Sequence, residues 1–152
     1  MDAVQDFEDF LDLLDRHGVR HLIVGGLAFI YHAKPRFTKD IDVWLDPAPE
    51  NLRRANEALA EFGSPYLLDP AKPDEILQLG VAPNRIDLLR EAGPLAFEEA
   101  WGRRVEGVYG RARALWIGLE DLLAIKDRID NPRHREDARV LRKVLERRRA
   151  RE

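Results

Sequence analysis

Cysteine is absent from this chain. That excludes a disulfide framework, a thiolate zinc site and a cysteine nucleophile, so a metal would have to be held by oxygen or by histidine nitrogen. Long apolar runs are missing too: no stretch approaches the ~18 residues of a membrane-spanning helix. The chain starts Met1-Asp2-Ala3-Val4, acidic where a secretory signal would be basic. The expectation is a soluble protein that stays in the cytoplasm and has no membrane partner. His17, His21, His32 and His134 show no His-x-x-x-His spacing and read as structural or surface residues. There is no internal repeat and no low-complexity linker, only an arginine-rich end.

The 152 residues fit one domain, which buries roughly two thirds of the surface its unfolded chain exposes. With 45% hydrophobic and 35% charged residues, the composition is that of a packed core under a heavily solvated surface, not of disorder. The formal net charge of -3 hides an asymmetry. The first fifteen residues carry six acids and no base, whereas Arg142 to Arg151 carry six bases and one acid. Such a tail serves either as a solvated helix face or as a contact with a phosphate backbone, and its charge alone leaves both readings open.

Apolar spacing supplies the elements. Val4, Phe7, Phe10, Leu11 and Leu14 recur at helical intervals before Gly18, which predicts an amphipathic helix over 3–17. His21 to Val24 reads as a strand ending in Gly25-Gly26, and Leu27 to Ala33 as a helix stopped by Pro35. From Lys39 to Leu45 the residues alternate, with Ile41, Val43 and Leu45 on one face and Asp40, Asp42 and Trp44 on the other. A helix through Leu52, Ala55, Leu59 and Phe62 closes at Gly63. Residues 64–84 hold four of the nine prolines and predict short strands near Tyr66–Leu68 and Ile76–Leu79. Ile86-Asp87-Leu88-Leu89 is an apolar strand broken by one carboxylate, followed by a short helix over Leu95 to Trp101 and two strands reaching Ile117. Two amphipathic helices finish the chain, one running from Leu119 to Ile129, the other through Val140, Leu141, Val144 and Leu145, with Pro132 as the break.

Asp40 and Asp42, at i and i+2 on a strand, project to one side about 6–7 Å apart at the backbone, close enough for their oxygens to converge on common cations. Hard oxygen ligands favour magnesium or manganese, and a pair of such ions serves phosphoryl and nucleotidyl transfer. Taken alone, the pair also reads as decoration of a solvated strand face. Gly25-Gly26, between a strand and a helix start, offers free backbone N–H groups and a positive helix end to a phosphate, though glycine pairs are common in turns. Trp44 reads as core packing or as a stacking surface for a base.

The combination is more specific than its parts. The segment VGGLAFIYHAKPRFTKDIDVWL resembles the first signature of the nucleotidyltransferase superfamily, the small relatives of DNA polymerase beta, in which Gly-Gly or Gly-Ser precedes an Asp-x-Asp strand. Ile86-Asp87-Leu88 resembles that family's third-carboxylate motif. LEDLLAIKDRIDNPRHREDARVL is similar to the helical region of abortive-infection-type nucleotidyltransferases, a branch that includes toxins of toxin–antitoxin pairs. The resemblance touches most of residues 19–145.

The resemblance implies an α/β (α+β) nucleotidyltransferase fold: a mixed, twisted sheet flanked by helices, with the three acids along one edge. The core would span about 19–117 and a C-terminal helical segment about 119–150. It implies that Gly25 and Gly26 hold the triphosphate, that Asp40 and Asp42 bind both metals, and that Asp87 binds one metal and activates the acceptor hydroxyl. Lys126 would steady the phosphates, while Arg36 and Thr38 would bind nucleotide or shape the turn into the strand. The branch usually reads Arg-Pro-Lys-Asp where this chain has Asn131-Pro132-Arg133-His134, so Asp137 alone carries over there, as an additional site residue or as a salt-bridge partner.

The implied reaction moves a nucleoside monophosphate from a nucleoside triphosphate to an acceptor hydroxyl with Mg2+ (or Mn2+), releasing pyrophosphate. The acceptor would be a transfer RNA end, a protein side chain or a small molecule. A cognate toxin or antitoxin is the implied partner. The competing reading is an inactive nucleotidyltransferase-like antitoxin or partner-binding module. A DNA-binding regulator using the basic helix would give Asp40 and Asp42 no role.

Overall fold

The computed structural model describes residues 4–38, 40–81 and 84–152. The expected starts of the first helix at residue 3 and of the acidic strand at Lys39 lie outside the described residues, as do positions 82 and 83 of the proline-rich stretch. The elements run α1 (Gln5–Arg16), β1 (His21–Val24), α2 (Gly25–His32), β2 (Asp40–Leu45), α3 (Pro49–Phe62), β3 (Leu77–Leu79), β4 (Arg85–Leu89), α4 (Phe97–Gly102), β5 (Val105–Tyr109), β6 (Ala112–Trp116), α5 (Leu119–Asp127) and α6 (Pro132–Ala150).

Six strands form one mixed sheet in the order β3-β4-β2-β1-β6-β5. β2 lies antiparallel to β1 and parallel to β4. β6 lies parallel to β1, and β3 and β5 close the two edges in antiparallel pairs. The three acids thus sit on two interior strands and not along an edge, because β3 pairs outside β4 with Gln78 opposite Asp87.

Helices flank the sheet in two groups. α1 buries Phe7, Phe10, Leu11, Leu13 and Leu14 against α3 and β6, with Phe10 and Phe62 in edge contact at 5.1 Å. α2 packs on β1, β2, α5 and α6. Pro49 begins α3, where its missing N–H costs nothing, and Gly63 ends it with φ 92. Pro132 does more than break the C-terminal helix. It opens α6 at the first helical position, behind an Asn131 whose side chain caps Arg133 N. α5 correspondingly stops at Asp127, short of Ile129.

No strand forms at Tyr66–Leu68. There, the Asn56 side chain takes the place of a neighbouring strand: Oδ1 accepts from Leu68 N at 2.8 Å and Nδ2 donates to Leu68 O at 3.1 Å. Trp44 is fully buried in edge contact with Phe97, which removes the base-stacking reading. His21 and His32 are buried with ring nitrogens on the Val19 and Ile117 carbonyls, and burial pulls both pKa values down.

Asn51 ties the entrance of β1 to the exit of β2. Its Oδ1 accepts from Arg20 N at 2.8 Å, and its Nδ2 donates to Arg20 O at 3.0 Å and Asp46 O at 2.9 Å. Truncation leaves three half-buried backbone groups without their partner at a combined cost of about 2 kcal/mol. Asn51→Ala is therefore expected to lower the melting temperature by roughly 4–8 °C in a scanning fluorimetry trace.

Candidate active site

The parallel register of β2 and β4 sets Asp40 opposite Arg85 and Asp42 opposite Asp87. Positions i and i+2 share a sheet face, so four charged side chains meet in a two-by-two array. Oxygens of Asp40, Asp42 and Asp87 all lie within 4.8 Å of one another. Arg85 bridges two of them: Nη2 donates to Asp40 Oδ2 at 2.6 Å, and Nε and Nη2 donate to Asp87 at 3.0 and 3.1 Å.

Asp42 accepts no hydrogen bond from that guanidinium. Burial, then the charges of Asp40 and Asp87, push its carboxyl up to about 7, only partly opposed by Arg85. Once all three are ionised, above about pH 7, three carboxylates against one guanidinium leave two negative charges uncompensated, and every ligand atom is a hard oxygen. The residues therefore fit a divalent cation such as magnesium or manganese.

The glycine pair is required by close approach. Gly25 has φ 66, and a Cβ there would fall 2.0 Å from Asp42 Oδ2. A Cβ on Gly26 would fall 2.8 Å from Thr38 Oγ1 and 3.8 Å from an Arg36 nitrogen. Thr38 in turn donates to the Asp40 carbonyl at a long 3.4 Å. The first turn of α2, with its free N–H groups, consequently faces the carboxylates with no side chain between them.

Lys126, Asp137, Arg36 and His134 form a second cluster. Asp137 Oδ1 accepts from Arg36 Nη1 at 2.6 Å, and its Oδ2 lies 3.0 Å from Lys126 Nζ as a charge pair outside good hydrogen-bond alignment. Arg36 also stacks 4.2 Å above Phe29. Burial works to raise the Asp137 pKa, but the two cations overcome it and hold it below the usual carboxylate range. Burial lowers Lys126, with Asp137 opposing. The His134 pKa is lowered by burial, then by the Lys126 charge, and its Nδ1 lies 3.1 Å from Lys126 Nζ, which can only donate.

One member of the first cluster, Asp42, and two of the second, Lys126 and His134, line a cleft of about 250 Å³ together with Gly25, Leu89 and Ile125 among others. Of the site residues expected from sequence, Asp40, Asp42 and Asp87 lie together, Gly25 and Gly26 approach Asp42 and Thr38, and Lys126 and Arg36 are held by Asp137 rather than standing free. Arg85 was not foreseen, although its place two residues before Asp87 on one strand is a readable signal. His134, expected to be structural or at the surface, lines the cleft.

Asp137→Ala is expected to destabilise the fold by about 3 kcal/mol, since it strands Lys126 and Arg36 in a largely buried setting. Chemical denaturation at pH 7 measures this, and a Lys126→Met, Asp137→Leu double variant should recover part of the loss.

The sequence matches no family model and no curated protein. Among solved structures, the chain is similar to ANT(2")-Ia in complex with adenylyl-2"-tobramycin, at TM-score 0.59 and 17% identity over 91% of this chain and 87% of that one. It is also similar to the lincosamide antibiotic adenylyltransferase LnuA with lincomycin bound, at TM-score 0.55 and 16% identity over 94% of this chain and 99% of that one. At these identities the likeness concerns architecture: the six-stranded mixed sheet with its flanking helices is a nucleotidyltransferase fold.

Proposed function

We propose that this protein is a Mg2+-dependent nucleotidyltransferase that moves a nucleoside monophosphate from a nucleoside triphosphate to an acceptor hydroxyl. The observation that carries the reading is the meeting of Asp40, Asp42 and Asp87 oxygens within 4.8 Å, beside a helix start kept open by Gly25 and Gly26. The three carboxylates would hold the divalent ion, which when bound offsets charge on the triphosphate and the transition state.

The chain's own groups then divide the work. The Gly25 and Gly26 amides at the start of α2 bind phosphate oxygens. Arg36, Lys126 and Asp137 together present one net positive charge on the same side. Asp87, on the strand beside Asp42, accepts the proton of the acceptor hydroxyl. That oxygen forms the new bond to the α-phosphorus as the bond to the bridging oxygen breaks, and pyrophosphate leaves.

The acceptor favoured is a hydroxyl of a small molecule. The cleft is compact and largely apolar, with Leu89, Leu122, Ile125 and Ile129 along it. The two structural neighbours are described with a tobramycin adduct and with lincomycin. In the basic tail, two of the six bases, Arg142 and Arg149, pair with Asp127 and Glu120, which lowers the charge offered to an RNA acceptor. The toxin–antitoxin assignment rests on the C-terminal sequence resemblance alone. No helix among the described residues is long and apolar enough to cross a membrane.

An α-labelled triphosphate incubated with RNA, with cell protein and with a panel of hydroxylated small molecules separates these acceptors. Label is expected on a small molecule, with little sensitivity to salt. Label on RNA, falling steeply with salt, would replace that assignment. A second reading, a module that binds nucleotide without turnover, draws on the engagement of Lys126 by Asp137. Metal-dependent binding with no transfer to any acceptor would select it.

A further inference from the structure

We infer that Arg85 is a resident counter-cation that makes the carboxylate site load a divalent ion together with a triphosphate rather than alone. This rests on the proposed function. The guanidinium lies opposite Asp40 in the register of β2 and β4 and shares a strand face with Asp87. It makes three charge-assisted hydrogen bonds to those two carboxylates, two of the three acids that would hold the ion. No other described cation takes this part: Arg36 and Lys126 are both engaged by Asp137.

An ion arriving alone would have to draw Asp40 and Asp87 away from Arg85 and leave the guanidinium without a partner. The loss is larger than a bare Coulomb count, because the planar fork matches carboxylates two nitrogens at a time. An ion arriving with a triphosphate brings phosphate oxygens, which suit the same fork and become its new partners. The Arg85 side chain is 36% exposed, against 6% for Lys126, so it has a route out of the array that Lys126 lacks. Binding of ion and nucleotide is therefore coupled, and by linkage each strengthens the other by the same factor. A chain without this arginine would bind the bare ion more tightly and gain less from nucleotide.

The test titrates Mn2+ into the 152-residue chain and its Arg85→Gln variant, read by electron paramagnetic resonance of the free ion, with and without an α,β-methylene triphosphate. Arg85→Gln is expected to bind Mn2+ alone at least tenfold more tightly, about 1.4 kcal/mol. The analogue is expected to tighten Mn2+ binding more in the parent than in the variant, a comparison in which the ion's own affinity for the analogue cancels. Arg85→Lys keeps the charge but cannot bridge two carboxylates, and it is expected to bind Mn2+ at least threefold more tightly than the parent, which keeps the test available if the glutamine variant fails to fold. Equal Mn2+ affinity in parent and variants would overturn the role of Arg85 and leave the metal site standing. Binding by none of them would instead remove the metal site and the proposed function with it.

Discussion

The metal-free Asp42→Asn protein is expected to melt several degrees above the parent while losing at least ~100-fold in nucleotidyl transfer. The two effects have one cause. Burial and the charges of Asp40 and Asp87 hold the Asp42 carboxyl at about 7, so at neutral pH the fold carries a carboxylate that its own surroundings disfavour. An acid whose pKa is raised by folding contributes stability that is fully present below its unfolded value near 4. That stability is lost as pH rises towards about 7 and stays lost above it.

The full shift would amount to about 4 kcal/mol, and partial solvent access with relaxation around Arg85 reduces the expected gain from asparagine to about 2 kcal/mol, or roughly 4–8 °C. The advantage of the variant should open between pH 4 and 7, be flat above that, and shrink when magnesium is added to the parent. Activity falls because under the proposed function Asp42 would be a direct ligand, whose loss costs more than the ~10–100-fold attributed to groups that only orient the ligands. Melting curves across pH, with and without magnesium, check the first half and single-turnover transfer the second. A variant less stable than the parent at pH 8 would contradict this electrostatic picture of the site.

Gly25→Ala is expected to cost about 3 kcal/mol and to remove activity as fully as loss of Asp42 does. Two penalties combine there. A left-handed φ of 66 costs an L-residue roughly 1–2 kcal/mol, and a Cβ 2.0 Å from Asp42 Oδ2 forces that side chain out of the array. Gly63→Ala separates them, since Gly63 has φ 92 but nothing within 4 Å of an added Cβ. It should show the backbone penalty alone, about 1 kcal/mol, with activity intact. Because the clash is with one side chain, the effects of Gly25→Ala and Asp42→Ala on stability should be strongly non-additive, the Gly25→Ala penalty shrinking in the Asp42→Ala background. Urea denaturation of the two singles and the double measures the coupling, and simple additivity would show that the contact carries no energy.

Local signals in the sequence were enough to locate most elements. Alternation at 40–45 marked β2, and the glycine pair and later carboxylate marked the neighbouring β1–α2 turn and β4. These are effects within a few residues, where period and turn chemistry act. What the sequence hid depends on pairing between distant segments. The parallel register that brings Arg85 onto Asp40 is one case, and the capture of Lys126 by Asp137 across the α5–α6 turn is another. The missing strand at Tyr66–Leu68 has the same origin, because a side chain from α3 satisfies its backbone. The acids seemed to line an edge because nothing local announces that β3 pairs outside β4.

The most direct test of the three-carboxylate site is one incubation of the protein with magnesium, acceptor and a triphosphate labelled in turn at the α and γ positions, with an Asp40→Ala, Asp42→Ala variant alongside. The α label should move to the acceptor and the γ label should leave as pyrophosphate, with neither occurring in the variant. Transfer of the γ label, or α transfer that survives loss of both acids, would contradict nucleotidyl transfer at this site.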